Sequence, residues 1–99
     1  MPKDDRIITD YARMWPREIL YLSENLLKDV RSALDRPGVY VLYRDEHPYY
    51  VGRADRLYRR LNQHANNPRA RRFHFWNFFS AYVIPNRKHI GDVEGVLIT

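Results

Sequence analysis

The pattern of apolar and polar residues in the first half of the chain predicts a helix followed by a β-hairpin. Leu, Ile and Val recur at near-helical spacing between residues 16 and 34, and Arg36-Pro37-Gly38 ends that pattern. Two β-branched and aromatic segments, Val39–Tyr43 and Tyr49–Val51, lie on either side of a polar turn. Residues 1–14 are polar and mixed, which predicts a loosely held arm before the helix.

The second half of the chain predicts a helix, a strand and a further helix. Asp55 is the predicted N-cap of a helix that runs to about Ala65. The segment Phe73–Ile84 has apolar residues on both faces, as in a strand that is covered on both sides. A last helix begins at Asp92. The order of elements predicts an α+β fold, with a small antiparallel three-stranded sheet flanked by helices.

Basic charge is concentrated in one block of the sequence. The chain has a net charge of +5, whereas residues 53–72 alone contain seven Arg and one acid, Asp55. Arg has a planar fork of donors that pairs well with phosphate, so the block favours a nucleic-acid partner. An ordinary solvated helix face would give the same charge pattern, and charge alone leaves both interpretations open.

The composition excludes several classes of protein. The absence of Cys excludes disulfides, thiolate zinc sites and a cysteine nucleophile. No apolar run approaches the roughly 20 residues of a membrane helix, and the N-terminus, which contains acids and has no apolar segment, is unlike a signal peptide. We therefore expect a single-domain, soluble cytoplasmic protein of 99 residues with no membrane partner.

Two short motifs and three single residues follow one another in a recognisable order. They are Gly38-Val39-Tyr40, Tyr50-Val51-Gly52-Arg53, Arg60, His64 and Glu94. Nine residues separate the motifs, Arg60 lies ten positions after Tyr50, and His64 lies four positions further on. This order resembles the paired signature of the GIY-YIG nuclease superfamily, with Val in place of Ile in both motifs. The resemblance covers about residues 37–99 and implies a β-β-α-β-α core, here preceded by an extra N-terminal helix.

The resemblance implies a divalent-metal-dependent endonuclease that hydrolyses DNA phosphodiester bonds, similar to excision-repair incision subunits. Glu94 would hold Mg²⁺ or Mn²⁺, since a single carboxylate suits a cation that keeps most of its waters. Arg60 would bind the scissile phosphate, and Tyr40 and Tyr50 would act on the nucleophilic water. His64 would bind phosphate or shuttle a proton.

Four more residues of the motif region are given roles. Arg53 and Arg56 are candidate phosphate contacts, and helical spacing would place Arg56 on the same stripe as Arg60 and His64. Gly38 and Gly52 are expected to serve tight backbone geometry.

Two other functions stay open at this point, and so does the question of whether the nuclease domain is complete. The chain could be a catalytically inactive nucleic-acid-binding module, or an interaction domain that docks through its N-terminal helix. RNA is not distinguished from DNA. An Asn that many family members carry would fall after Thr99, and the last helix is short. We therefore expect an arm and helix at 1–36 and a nuclease domain at 37–99, truncated at its C-terminus and excised from a longer chain with further domains.

Overall fold

The described part of the chain forms a four-stranded sheet with helices on both faces. The computed structural model describes residues 6–67 and 75–98. In chain order, the elements are β1 (Asp10–Pro16), a 3-10 helix (Arg17–Tyr21), α1 (Glu24–Leu34), β2 (Gly38–Arg44), β3 (His47–Ala54), α2 (Leu57–Asn66), β4 (Phe78–Val83), a second 3-10 helix (Arg87–His89) and α3 (Ile90–Ile98).

The sheet has the strand order β1-β4-β2-β3, and all its neighbouring strands are antiparallel. The predicted hairpin is β2–β3, in which Tyr40 lies directly opposite Gly52. On its other side β2 pairs with β4, where Tyr40 lies opposite Ala81. The predicted α+β class with an antiparallel sheet is confirmed, but across residues 6–67 and 75–98 the sheet has four strands and not three.

The fourth strand is β1, which occupies part of the predicted N-terminal arm. It pairs with β4 from Asp10 to Pro16, and the prediction of a loose arm is wrong for these residues. Only Ala12 of the strand is buried, because β1 lies at the edge of the sheet. A bulge interrupts the pairing after Ala12, where Met14 has φ 53° and its N–H donates to the buried Ser80 hydroxyl at 3.0 Å. An edge strand with a bulge has no clean alternation, and this hides it in the sequence.

The predicted helix 16–34 is divided into two elements. Pro16 ends β1, a 3-10 helix follows, and α1 begins only at Glu24. Leu20, Leu27 and Leu34 nevertheless point into the core, as the helical spacing predicts.

Three other predicted boundaries are also wrong. Asp55 is not the N-cap of α2, because Arg56 holds that position without a side-chain cap, and exposed Asp55 instead pairs with Arg87 at 3.4 Å. The predicted strand Phe73–Ile84 begins at Phe78, and residues 73 and 74 lie outside the described part of the chain. The last helix begins at Ile90, two residues before the predicted start.

Apolar side chains cover both faces of the central strands. The α1 and α2 face of the sheet holds the larger cluster, which includes Leu27, Tyr40, Leu61 and Phe79. The smaller cluster lies under α3, and its members are Val39, Ile84 and Ile90 with Ile8, Val51 and Val93 packed against them. β4 is therefore covered on both sides, as its sequence predicts. None of the helices in the described ranges has the length and apolar composition to cross a membrane.

Candidate active site

Three rings from three different elements meet at the α2 face of the hairpin. Tyr40 of β2 and Tyr50 of β3 have ring centroids 6.0 Å apart, and His64 of α2 lies 5.4 Å from Tyr40 and 6.2 Å from Tyr50. The Tyr40 hydroxyl and His64 Nε2 are joined by a hydrogen bond of 2.8 Å. Tyr40 and His64 are only 2% and 8% exposed, so water hardly competes for this bond.

The two motif glycines make this close packing possible. A Cβ on Gly52 would lie 2.6 Å from Cζ and Oη of Tyr40 and 2.8 Å from Cε1 of Tyr50. A Cβ on Gly38 would lie 2.0 Å from the Tyr82 carbonyl oxygen. Neither glycine has a positive φ, so close approach and not backbone conformation requires them. Gly52 thus provides the space into which the Tyr40 phenol folds.

Burial keeps both partners of the hydrogen bond neutral. Burial raises the pKa of Tyr40 well above its ordinary value, neighbouring Tyr50 and Glu94 raise it further, and Arg60 opposes them. Burial, helped by the positive charge of Arg60, lowers the pKa of His64 to about 4. At neutral pH the site therefore contains a phenol bonded to an uncharged imidazole.

A cleft of about 240 Å³ lies where the end of β3, α2 and the start of α3 meet, and Arg60 in its lining is one turn of α2 before His64. Its lining includes two exposed guanidinium groups, Arg53 and Arg60, and one acid, Asp55. Glu94 is half-buried one helical turn after Ile90, which also lines the cleft. The carboxylate of Glu94 lies near enough to Tyr40 to raise its pKa. The fold thus brings together Tyr40, Tyr50, Arg60, His64 and Glu94.

The side chains at this site fit one kind of metal ion. Within the described ranges, no three His, Cys, Asp or Glu side chains form a group that could hold a metal. Of the two acids near the cleft, Asp55 is paired with Arg87, so a cation here would depend on the carboxylate of Glu94. Mg²⁺ accepts such a site because it dehydrates reluctantly and keeps several waters, whereas structural zinc requires four N, S or O ligands from the protein.

The structure does not bring Arg56 to this group. The Nε and Nη2 atoms of Arg56 donate to the Asp35 carboxylate at 3.0 and 2.5 Å, at the C-terminal end of α1. Arg56 lies along the groove between α1 and α2 and does not line the cleft. Its assignment as a phosphate contact stays a prediction. Three other arginines of the basic block, Arg69, Arg71 and Arg72, lie outside the described residues.

For Asp55, which lies near the site, the sequence predicts a different role. Asp55 lines the cleft beside Arg53 and Arg60, whereas its position before α2 suggested only a helix cap. Its partner Arg87 comes from the segment before α3, 32 residues further along the chain. A local sequence pattern cannot predict a contact between residues this far apart in the chain, and the contact is seen only in the fold.

The fold and the ring cluster agree with the outcome of the family comparison. The model of the GIY-YIG catalytic domain matches residues 36–99, which is well over half of the chain. The chain therefore belongs to the GIY-YIG catalytic domain family, and the predicted class, a GIY-YIG-type endonuclease, is confirmed.

Similar solved structures include several of one protein of that class. The chain is 28% identical to the GIY-YIG N-terminal endonuclease domain of UvrC from Thermotoga maritima bound to magnesium, its catalytic divalent cation. The match covers 78% of this chain and 90% of that one, with a TM-score of 0.58. An asparagine-to-alanine variant of the same UvrC domain, also bound to its catalytic divalent cation, matches with 28% identity, 78% and 89% coverage and a TM-score of 0.58. No curated protein sequence matches the chain significantly.

Proposed function

We propose that this protein is a divalent-metal-dependent endonuclease that hydrolyses DNA phosphodiester bonds with Mg²⁺ or Mn²⁺. The observation that carries the proposal is the convergence of Tyr40, Tyr50 and His64 beside the Arg-lined cleft and Glu94. Phosphodiester hydrolysis needs positive charge at the phosphate and a water whose proton can leave. The magnesium-bound UvrC domain, which shares the fold at 28% identity, supports the choice of cation.

Glu94 is the proposed metal ligand. It is half-buried on α3, and its charge already acts on Tyr40, so a cation at Glu94 would lie close to the reacting groups. The bound cation would supply charge neutralisation at the phosphate and a more acidic water. Glu94 itself contributes the negative charge that holds the cation against solvent.

Arg60 and Arg53 are the proposed phosphate ligands. Both guanidinium groups line the cleft and are exposed, so a phosphate can reach them without displacing core side chains. Charge-assisted hydrogen bonds from Arg to phosphate are frequently bidentate, which fixes the orientation of the scissile group. Arg56 is a more distant contact in this scheme, since its guanidinium is paired with Asp35.

Tyr40 is the proposed contact of the nucleophilic water, with Tyr50 beside it and His64 as its positioning residue. Transfer of the Tyr40 proton to His64 would take a proton from a phenol with a pKa above 10 and give it to an imidazole with a pKa of about 4. Burial raises the pKa of Tyr40 and lowers that of His64, so the resting pair keeps its proton on Tyr40. When His64 accepts from the Tyr40 hydroxyl, that bond fixes the orientation of the phenol beside Tyr50.

Residues 37–99 carry the whole proposed site, and residues 1–36 support it. Ala12, Leu20, Leu27 and Leu34 of the first segment belong to the same core cluster as Tyr40. The proposal includes a cytoplasmic location and a role in DNA repair like that of excision-repair incision subunits. The alternative function is a catalytically inactive nucleic-acid-binding module, and a plasmid-nicking experiment distinguishes it from a nuclease.

The first test compares Glu94→Gln with Asp92→Asn in the nicking of supercoiled plasmid with Mg²⁺ or Mn²⁺. Asp92 is an exposed acid two positions earlier on α3, so both changes remove one negative charge from one helix. We expect EDTA-sensitive nicking by the wild type and the Asp92 variant, and its loss in the Glu94 variant. Equal nicking by all three proteins would contradict the role of Glu94. DNA binding without nicking by any of them would establish the binding module.

The second test compares Arg60→Ala with Arg59→Ala. Arg59 is the preceding residue of α2 and is also exposed, but it lines the α1–α2 groove and not the cleft. Loss of one charged donor at a transferring group typically lowers kcat by about 10²- to 10³-fold. We expect this loss for Arg60 alone, with near-normal thermal stability for both variants. Similar losses in both variants would show that the two arginines act by general electrostatic attraction of DNA and not by a specific phosphate contact.

A further inference from the structure

An exposed group of π-systems lies next to the ring cluster but outside it. The rings of Tyr49 and Phe75 have centroids 5.1 Å apart at an interplanar angle of 53°, and the Arg44 guanidinium lies 5.2 Å from the centre of the Phe75 ring. Tyr49 is 39% exposed and Phe75 is 51% exposed. We call Arg44, Tyr49 and Phe75 the stacking patch.

Hydrogen bonds fix the stacking patch to the hairpin. The side chain of Asn77 accepts from the Asp45 N–H at 2.7 Å and donates to the Asp45 carboxylate at 3.0 Å. The Asn77 N–H donates to the Tyr43 carbonyl at 2.9 Å, and Arg44 donates to the Phe75 carbonyl at 3.1 Å. The segment that carries Phe75 is thus held in place before any partner binds, which lowers the entropic cost of binding.

The size and charge of the patch identify its partner. An aromatic side chain offers about 150–250 Å², so two rings at these exposures present only about 200 Å². A protein interface needs about 800 Å² from each partner. Rings flanked by a guanidinium are typical of surfaces on which an unpaired base stacks, because stacking and cation–π attraction then act on the same base.

The position of the patch links it to the proposed cleavage. Tyr49 directly precedes Tyr50 in β3, and Arg53 of the cleft follows four residues after Tyr49. Four strand residues span about 13 Å at 3.3 Å per residue. Successive nucleotides of a stacked strand rise about 3.4 Å, so a base on the patch would belong to a nucleotide within about four positions of the scissile phosphate.

We propose that the stacking patch binds one unpaired base next to the cleavage point, so that the preferred substrate is DNA with an unpaired nucleotide near the cut. This inference rests on the proposed nuclease function. It assigns a substrate preference to Tyr49 and Phe75, neither of which belongs to the motif residues.

The test measures the binding of two fluorescent oligonucleotide duplexes in EDTA by anisotropy. One duplex contains a short unpaired bubble and the other is fully paired, with the same length and labelled strand. The variants are Phe75→Ala and Tyr49→Ala, with Phe75→Tyr as the conservative change. Tyr11→Ala is the matched control, because Tyr11 is 67% exposed on β1 at the opposite edge of the sheet.

We expect each alanine change in the patch to weaken binding of the bubble duplex by about 5-fold or more, the range of a lost base–aromatic stack. Binding of the paired duplex should change less than 2-fold, and Phe75→Tyr and Tyr11→Ala should resemble the wild type. Equal losses on both duplexes, or no loss in either patch variant, would overturn the proposal. Thermal melting of each variant identifies any that fails to fold, and the second patch variant then decides.

Plasmid nicking measured in parallel tests the proposed nuclease function separately from the role of the stacking patch. Nicking by the wild type without a bubble preference overturns the stacking patch alone. A bubble preference lost in the patch variants, without nicking by the wild type, supports the patch and contradicts the catalysis. No binding of either duplex contradicts both.

Discussion

The buried imidazole of His64 makes a pH-dependent contribution to stability that can be calculated. His64 is 8% exposed, and its pKa falls from the ordinary 6.5 to about 4 on folding. Between these two pH values the unfolded chain binds a proton at this position and the folded protein does not. By linkage, the free energy of unfolding must therefore fall as the pH decreases through this range.

The size of the effect follows from the gap between the two pKa values. A pKa difference of one unit corresponds to 1.36 kcal/mol, so a gap of this size is worth about 3 kcal/mol. The stabilisation conferred by neutral burial is fully present above pH 6.5 and is lost progressively as the pH falls to about 4. A loss of about 3 kcal/mol is a large fraction of the 5–15 kcal/mol that stabilise a typical domain.

The assay is urea denaturation of the wild type and of His64→Gln at intervals between pH 7.5 and 4. Gln cannot be protonated in this range and can still hydrogen-bond to Tyr40. We expect the free energy of unfolding of the wild type to fall about 3 kcal/mol further than that of the variant over this range. Carboxylates titrate in both proteins, so they cancel in the difference. His47→Gln, at an exposed position of β3, should follow the wild type.

Parallel pH curves for the wild type and His64→Gln would refute the reasoning. If the variant does not fold, an NMR titration of the wild-type imidazole provides the same information. A midpoint near 6.5 would then show that His64 is not held neutral by burial, and its proposed positioning of Tyr40 would lose its physical basis.

Three further substitutions have expected outcomes, each checked by thermal or urea denaturation and, for the first, by plasmid nicking. Gly52→Ala should destabilise the fold and abolish nicking, because its Cβ would lie 2.6 Å from the Tyr40 phenol and displace it; normal nicking would contradict the close packing of Tyr40 against Gly52. Ser80→Ala should cost about 1–3 kcal/mol, since it removes the acceptor of the Met14 N–H at 3.0 Å; a neutral effect would show that water replaces it. Gly95→Ala should stabilise α3 by up to about 1 kcal/mol, since a Cβ there meets nothing within 4 Å; a loss of stability would mean that the helix needs glycine there.

The elements that sequence predicts well are those whose burial is local and one-sided. The β2–β3 hairpin follows from two apolar segments around a polar turn, and α2 follows from the stripe that includes Leu57 and Leu61. The motif then places Tyr40 and Tyr50 on adjacent strands of that hairpin. Antiparallel pairing is enough to bring the two rings to one face, which the structure shows.

The features that sequence misses depend on contacts between distant parts of the chain. β1 exists because β4 pairs with it, and its bulge is satisfied by Ser80, 66 positions after Met14. Arg56 illustrates a different failure. Helical spacing groups it with Arg60 and His64, but its φ of −135° places it before the helix begins, and the spacing rule does not apply there. The guanidinium of Arg56 instead forms an ion pair with Asp35.

The spacing of Arg60 and His64 on α2 has an electrostatic consequence that limits how the site can work. The two residues lie one turn apart, and the positive charge of Arg60 lowers the pKa of both His64 and Tyr40. The same cation therefore opposes the protonation of His64 and favours the ionisation of Tyr40. For transfer of the Tyr40 proton to His64 these two effects of Arg60 oppose each other, so the burial of both groups disfavours that transfer, and the hydrogen bond of 2.8 Å serves to orient the phenol.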